Sequence, residues 1–269
     1  MRQLNGQLAQ ELQATNMILT NGTKLQANYV GVVSGSLSFS GSTSYLNLNP
    51  GIIIGSGSYT IDGYFNLPNF NNSYGLLGVA VGDGGSASAL SLYVGNNNSI
   101  GTNADGGGLT MGYTLPITLN PNIWYYFALV RDATNRETVF IGTNTTAYQA
   151  TGATGGSSIV GGVQVNTQNY NNNSAKHIGN YWNSNSYWPG YISNLRVTVG
   201  YNLYNPLSAY IPIPQGLLTV TTGTVYLMST NATTVDLSGN QTVTVNGTIT
   251  TSTQQPFVTN IGKPFIIRN

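Results

Sequence analysis

The stretch from Trp124 to Asp132, WYYFALVRD, constrains the fold of this chain more than any other. Read with the two-residue period of a strand, it sets Trp124, Tyr126, Ala128 and Val130 against Tyr125, Phe127 and Leu129. Both sets are bulky, so neither face can be left in water, and the strand belongs in the middle of a sheet that is covered on both sides. A second stretch, GYISNLRVTVG from Gly190 to Gly200, sets Tyr191, Ser193, Leu195, Val197 and Val199 against Ile192, Asn194, Arg196 and Thr198, with one face more apolar than the other. Trp124, Phe127, Leu129, Leu195 and Val197 are therefore expected in the core.

Short runs of the same kind recur between clusters of Gly, Asn and Ser from Gln26 onward. Strands are expected at Tyr29 to Val33, Ser36 to Phe39, Tyr45 to Leu48, Tyr59 to Leu67, Leu76 to Val81, Ala89 to Val94 and Leu109 to Leu115. Further ones are expected at Ile123 to Arg131, Thr138 to Ile141, Ile159 to Val165, Lys176 to Ile178, Tyr191 to Val199, Thr224 to Met228 and Gln241 to Ile249. Many strands with little helix point to an all-β sandwich, an antiparallel two-sheet arrangement, rather than to an α/β fold.

The order of several motifs resembles the laminin-G-like branch of the concanavalin A-type jelly rolls. In those domains a tryptophan-led strand ending in Val-Arg-Asp precedes a strand of the form G-Y-I-S-N-x-R-V. SLSFSGSTSYLNL (Ser36 to Leu48), SYTIDGYFNL (Ser58 to Leu67), TVFIGT (Thr138 to Thr143) and HIGN (His177 to Asn180) fall in the family's order, so the resemblance spans about Ser36 to Phe257. Asp62-Gly63 departs from it, standing where relatives carry a larger pair. The part after Gly200, with Tyr204, the prolines Pro206, Pro212 and Pro214, and DLSGNQTVTVNG from Asp236 to Gly247, is most similar to copies of this domain in virion proteins of tailed phages and large DNA viruses. The resemblance implies a concanavalin A-like jelly roll at residues 26–258, with an N-terminal arm at 1–25 and a C-terminal extension at 259–269.

Composition removes several function classes. Only 6% of the 269 residues are charged and the net charge is +1, against about 25% charged in an ordinary protein. Phosphate neutralisation needs clustered Lys and Arg, so nucleic acid is not an expected partner. No cysteine is present, which excludes disulfides, thiolate metal sites and a thiol nucleophile. The first residues, MRQLNGQLAQELQATN, lack the apolar centre of a secretory signal, and no run approaches the roughly 18 to 20 apolar residues of a membrane span. A soluble protein is expected, one that, if it works outside cells, arrives there as part of a particle.

The arm carries the only helical pattern, Leu4, Leu8 and Leu12 within Arg2 to Thr15. Such a stripe is too small to hold a helix alone in water, so it must bury against the sandwich or against a neighbouring subunit. The C-terminal KPFIIR, with Phe265 and Ile266, is read in the same two ways.

Chemistry is sparse. The carboxylates are Glu11, Asp62, Asp83, Asp105, Asp132, Glu137 and Asp236, and no closely spaced pair of the Glu-x-Asp-x-x-Glu kind supplies a glycosidase acid and base. His177 is the only histidine and sits in a strand motif, which argues against a hydrolytic triad. Arg131 and Arg196 are expected to pair with Asp132 or with backbone carbonyls. No cofactor is implied; calcium is left open at Asp83 in VGDGG and Asp105 in NADGGG, though Asp-Gly is ordinary turn chemistry. Sugar binding has a better motive in Tyr181, Trp182, Asn183, Asn185, Tyr187 and Trp188, where aromatic faces could stack on sugar CH groups and amides meet hydroxyls. The alternative is that Tyr187 and Trp188 plug the edge of the sandwich.

Two functional expectations result. The first is a non-enzymatic virion structural protein, a minor capsid, decoration or tail-associated subunit whose partners are other virion subunits in a homo-oligomer or lattice. The second is a glycan-binding adhesin or receptor-binding module on the same fold, with host-surface glycans as ligands.

Overall fold

A computed structural model describes residues 35–78, 90–104, 110–171, 175–180 and 186–257. The expected strand at Tyr29 to Val33, the expected helix with Leu4, Leu8 and Leu12, and the C-terminal Phe265 and Ile266 lie outside these residues. In chain order the strands are β1 (Ser36–Phe39), β2 (Tyr45–Ile52), β3 (Tyr59–Asn66), β4 (Tyr74–Gly78), β5 (Leu90–Gly95), β6 (Ser99–Ala104) and β7 (Thr110–Thr114). They continue as β8 (Tyr125–Arg131), β9 (Arg136–Thr143), β10 (Thr146–Gln149), β11 (Gly152–Thr154), β12 (Ser157–Val160), β13 (Val163–Val165) and β14 (Ala175–Ile178). The last are β15 (Tyr191–Val199), β16 (Tyr210–Pro212), β17 (Thr224–Leu227), β18 (Thr242–Asn246) and β19 (Ile249–Ser252). Among the described residues there is no helix, and none is long and apolar enough to cross a membrane.

The strands form two antiparallel sheets packed as a jelly-roll sandwich. One runs β12-β13-β9-β8-β3-β15-β1-β19, with β10 added to β9, β16 to β10 and β17 to β15; the other runs β11-β7-β6-β5-β4-β14-β2-β18. The main core lies between them. From the first sheet come Ile61, Phe65, Phe127, Leu129, Val139, Ile141, Leu195 and Val197, and from the second Leu46, Leu77, Leu92, Ile100 and Met111. Each fully buried aliphatic or aromatic side chain of this kind contributes about 1.5 to 3 kcal/mol relative to exposure.

Strand β8 has the two covered faces expected of it. Tyr125, Phe127 and Leu129 enter the main core, whereas Tyr126, Ala128 and Val130 form a second buried cluster with Tyr64, Phe140, Ala147, Ile211 and Ile213 on the outer face of the same sheet. What covers that face is the chain after β15. Ile211 and Ile213 pack down on it, Leu203 N donates to Thr60 Oγ1 at 2.9 Å, and Tyr64 Oη donates to Pro214 O at 2.5 Å.

Two expectations change here. Trp124 is half-buried, precedes β8, and packs against the outer cluster, so it is not the central core residue expected. The alternation of β15 also breaks. Ser193 is opposite Tyr64 but Arg196 is opposite Asp62, so Asn194 and Leu195 together face Gly63. This is a β-bulge, with Asn194 at φ 52°. The extra residue resets the phase, bringing Ile192 into the core beside Leu195 and Val197 rather than on the opposite face. Gly63 is the other half of the arrangement, because a Cβ there would lie 2.9 Å from Leu195 Cα.

Two expected strands are each two. Ile159 to Val165 is a hairpin, β12 and β13, turning at Gly161-Gly162 with Gly161 at φ 53°. Gln241 to Ile249 splits at Gly247, φ 69°; β18 pairs with β2 and β19 pairs with β1, so the chain changes sheets at that glycine. The short or polar strands β6, β10, β11 and β16 carried too little apolar alternation to be expected.

Candidate functional site

On the outer face of the β3-β8-β9 region the described residues leave room for a ligand. A cleft of about 430 Å³ lies there, within the range of small-molecule sites. Tyr64 and Tyr126 form its floor, projecting from adjacent strands at paired positions with ring centroids 5.0 Å apart. Trp124, Ile123, Pro256 and Phe257 make one wall, and Phe257 meets Tyr64 edge-on at 5.1 Å. The opposite rim is the β9-β10 turn, Thr143, Asn144 and Thr145, with Pro214 and Gln215. Asn144 takes the left-handed conformation this two-residue turn needs, φ 63°. Gln215 Nε2 donates to Asn144 O at 2.8 Å and to Ile213 O at 2.9 Å, latching the cover to the turn.

Beside the floor, on the same face of the sheet, is a buried ion pair. Arg196 and Asp62 meet across β15 and β3, Nε to Oδ1 at 2.9 Å and Nη2 to Oδ2 at 2.7 Å, and Arg196 Nη1 donates to Thr219 O at 3.0 Å. Tyr126 Oη donates to Asp62 Oδ2 at 2.9 Å and lies 2.8 Å from Tyr204 Oη. Burial, then the charge of Asp62, holds the Tyr126 and Tyr64 hydroxyls well above the ordinary phenol range. Tyr204 is pushed up to about 12 by the same causes. All three remain protonated donors near neutral pH. Asp62-Gly63, the departure from the family pattern, thus has a use: Asp62 satisfies Arg196 and two tyrosines, and Gly63 admits the bulge.

A second buried network closes one end of the main core. Glu137 is wholly buried and accepts hydrogen bonds from Tyr59 Oη, from Tyr113 Oη at 2.5 Å and from Asn166 Nδ2 at 2.7 Å. Burial raises its carboxyl above the usual carboxylate range, against the pull of these donors and of Arg131. Arg131 donates to the carbonyls of Gly57, Gln168 and Gly55 at 2.8 to 2.9 Å and lies over the rings of Tyr59 and Tyr170. It therefore caps backbone carbonyls, one of the two roles expected of it, while Arg196 pairs with Asp62 rather than Asp132.

The remaining described carboxylates are engaged in turns. Asp132 accepts from the Thr134 and Arg136 backbones and from Arg136 Nε at 2.7 Å. Asp236 accepts from the N–H groups of Leu227, Ser238, Asn240 and Gln241. Asp83 and Asp105 lie outside the described residues.

Of the expected sugar-binding residues, Tyr181, Trp182, Asn183 and Asn185 also lie outside the described residues. Trp188 is fully buried, edge-on to Phe65 at 5.6 Å, so its faces belong to the core rather than to solvent. Tyr187 is half-buried, 6.3 Å from Tyr45, which in turn lies 4.1 Å from buried His177. The cleft was not anticipated from sequence. Its one legible signal was the second bulky face of WYYFALV.

The described residues thus define a two-sheet jelly-roll sandwich with an aromatic cleft on one outer face. Comparison with solved structures agrees on the fold. A candidate carbohydrate-binding protein from Bacteroides ovatus matches over 81% of this chain and 60% of its own length, at 17% identity and TM-score 0.56. Looser likenesses are to domains LG4-5 of the mouse laminin α1 chain (16% identity, 70% of this chain and 48% of that one, TM-score 0.44) and to the heptameric pentraxin of Limulus polyphemus (16%, 62% and 77%, TM-score 0.43). The chain spans about three-fifths of the Bacteroides structure it matches. No protein-family model and no curated protein matches the sequence.

Proposed function

We propose that this protein is a non-enzymatic glycan-binding module whose sugar sits in the cleft over Tyr64 and Tyr126. The observation that carries the reading is the composition of the cleft. A half-buried indole and Phe257 supply apolar faces for sugar CH groups, and Asn144, Thr143, Thr145 and Gln215 supply hydroxyl-matching polar groups around the rim. The floor tyrosines are held rigid by Pro214 O and Asp62, so little ordering is left to be lost on binding. The likeness in fold to a candidate carbohydrate-binding protein supports the same reading. Each described carboxylate is tied to an arginine, tyrosines or turn amides, which is why the module is taken to bind rather than cleave.

A glycan array probed with the whole protein tests this. Binding is expected, and Trp124→Ala is expected to remove it while the fold persists. Unchanged binding by that variant would shift the site to the loop around Trp182 and Tyr187, where replacing both aromatics should then abolish it.

Carriage on a particle is the setting the sequence resemblance suggests. In that setting the partners are other virion subunits, contacted through Leu4, Leu8, Leu12, Phe265 and Ile266, and the glycan belongs to a host surface. Deletion of Met1 to Thr15 should then leave glycan binding intact and prevent incorporation. A full-length protein found only as a free monomer would leave a lectin and remove the virion role.

A further inference from the structure

The polar side chains around the cleft differ in how much freedom the fold leaves them, and on the rim Gln215 has least. Its Nε2 donates to Asn144 O at 2.8 Å and to Ile213 O at 2.9 Å. A backbone carbonyl can only accept, so both partners require an N–H and the amide cannot be turned end for end. Both of its hydrogens are thereby engaged within the protein. What Gln215 has left is Oε1, an acceptor with no hydrogen of its own, on an exposed side chain that lines the cleft. The two carbonyls belong to different segments, the β9-β10 turn and the chain just after β16, so the amide is held at two points before anything binds.

The other polar groups of the cleft are either engaged already or able to serve in both directions. On the floor, Tyr64 Oη donates to Pro214 O and Tyr126 Oη donates to Asp62 Oδ2, so these residues offer ring faces rather than hydroxyl hydrogens. Pro214 and Pro256 have no N–H to give. Ile213 N already donates to Thr145 O at 2.9 Å. The hydroxyls of Thr143 and Thr145 and the amide of Asn144 can each donate or accept, which suits either kind of partner. Among the described residues of the rim, Gln215 is therefore the side chain whose role toward a ligand the fold has fixed, and that role is acceptance.

Resting on the reading of the cleft as a sugar site, we infer that Gln215 is a specificity-determining residue of that site, accepting a hydrogen bond from one free hydroxyl of the bound sugar. A sugar that carries a hydroxyl at that position supplies the hydrogen Oε1 lacks. One that presents an ether, an ester or a carboxylate there sets acceptor against acceptor and binds less well. The aromatic faces hold the ring, and Gln215 reads which of its oxygens is free.

Titration of the whole protein, followed by ligand NMR, with the methyl glycosides of glucose, galactose, mannose and N-acetylglucosamine tests the inference. Each is run beside its monodeoxy and monodeoxyfluoro derivatives; where none of the four binds, the same scan is made on the smallest sugar retained from a glycan array. Fluorine in place of a hydroxyl keeps a weak acceptor and removes the hydrogen. At one ring position the deoxy and deoxyfluoro derivatives are expected to lose affinity alike, by about tenfold, the scale of one hydrogen bond. In Gln215→Ala the parent sugar should weaken, and the derivatives at that position should bind as well as the parent. If Gln215 serves only to latch the cover, its removal lowers parent and derivatives together and the tenfold ratio survives, which overturns the inference. A wild type for which no ring position requires a hydrogen donor overturns it as well, without any substitution, and in both cases the cleft reading stands. A wild type that binds no sugar overturns the cleft reading and the inference with it.

Discussion

The two faces of the sheet that carries β3, β8 and β15 both bury aromatic side chains but solve the problem of buried charge differently. On the inner face Glu137 is held by neutral donors, two tyrosines and an asparagine, and Arg131 contacts carbonyls and rings rather than the carboxylate. On the outer face Asp62 and Arg196 meet in a two-point ion pair, and the tyrosines are secondary. The inner arrangement seals an end of the core. The outer one keeps a rigid, protonated tyrosine floor beneath an open cleft.

This contrast can be broken most directly at Arg196. Arg196→Ala leaves Asp62 buried without its partner and is expected to cost about 3 to 5 kcal/mol, read from urea unfolding, and to loosen the cleft floor. A variant that unfolds like wild type would show that water replaces the guanidinium and that the pair does not organise the outer face. Phe127→Ala, which removes a fully buried inner-face ring, should cost about 3 to 5 kcal/mol. Trp124→Ala on the outer face should cost only about 1 to 2 kcal/mol because the indole is half-buried, while its effect on glycan binding is large. Equal destabilisation by the two would mean that Trp124 belongs to the core after all.

Glu137→Gln should be milder than Arg196→Ala, about 1 to 2 kcal/mol, since the amide oxygen can still accept from the tyrosines. Smallest is the pH response. Burial raises the Glu137 carboxyl in the folded state above its ordinary value of 4.5. The native form therefore holds this proton more tightly than the unfolded chain, and the associated stability is full below about 4.5 and is lost as pH rises through the folded value. Asp132 acts oppositely. Burial raises it, but hydrogen bonds from Arg136 and Thr134 outweigh that and lower it, so its contribution is present above 3.8 and is lost as pH falls. Unfolding free energy measured from pH 3 to 8 should lose the Glu137 component in Glu137→Gln and keep the Asp132 component. An unchanged profile would place the Glu137 proton outside the balance.

Much of the sandwich was legible because alternation is a local property. WYYFALVRD announced a strand covered on both faces, and β1, β3, β8, β14, β15 and β17 fall within a residue or two of where alternation put them. Strands such as β6, SIGTNA, and β16, YIP, escaped because each carries a single large apolar side chain that is buried, Ile100 and Ile211, too little for a two-residue period to show. Gly101 in β6 lies so close beneath the Tyr93 ring that a Cβ would sit 2.2 Å from Cζ.

The sequence by itself determined a charge-poor, cysteine-free chain of antiparallel strands with one strand too bulky to be exposed on either side. Whether a given residue served the core or a site was decided in three dimensions. Trp124 and Trp188 are both tryptophans beside strands, yet Trp188 is sealed against Phe65 and Trp124 stands at the mouth of a cleft. The reason is that burial depends on what returns over a surface, here the segment carrying Ile211, Ile213 and Phe257, and that contact joins residues far apart in the chain whose pairing leaves no local pattern to read.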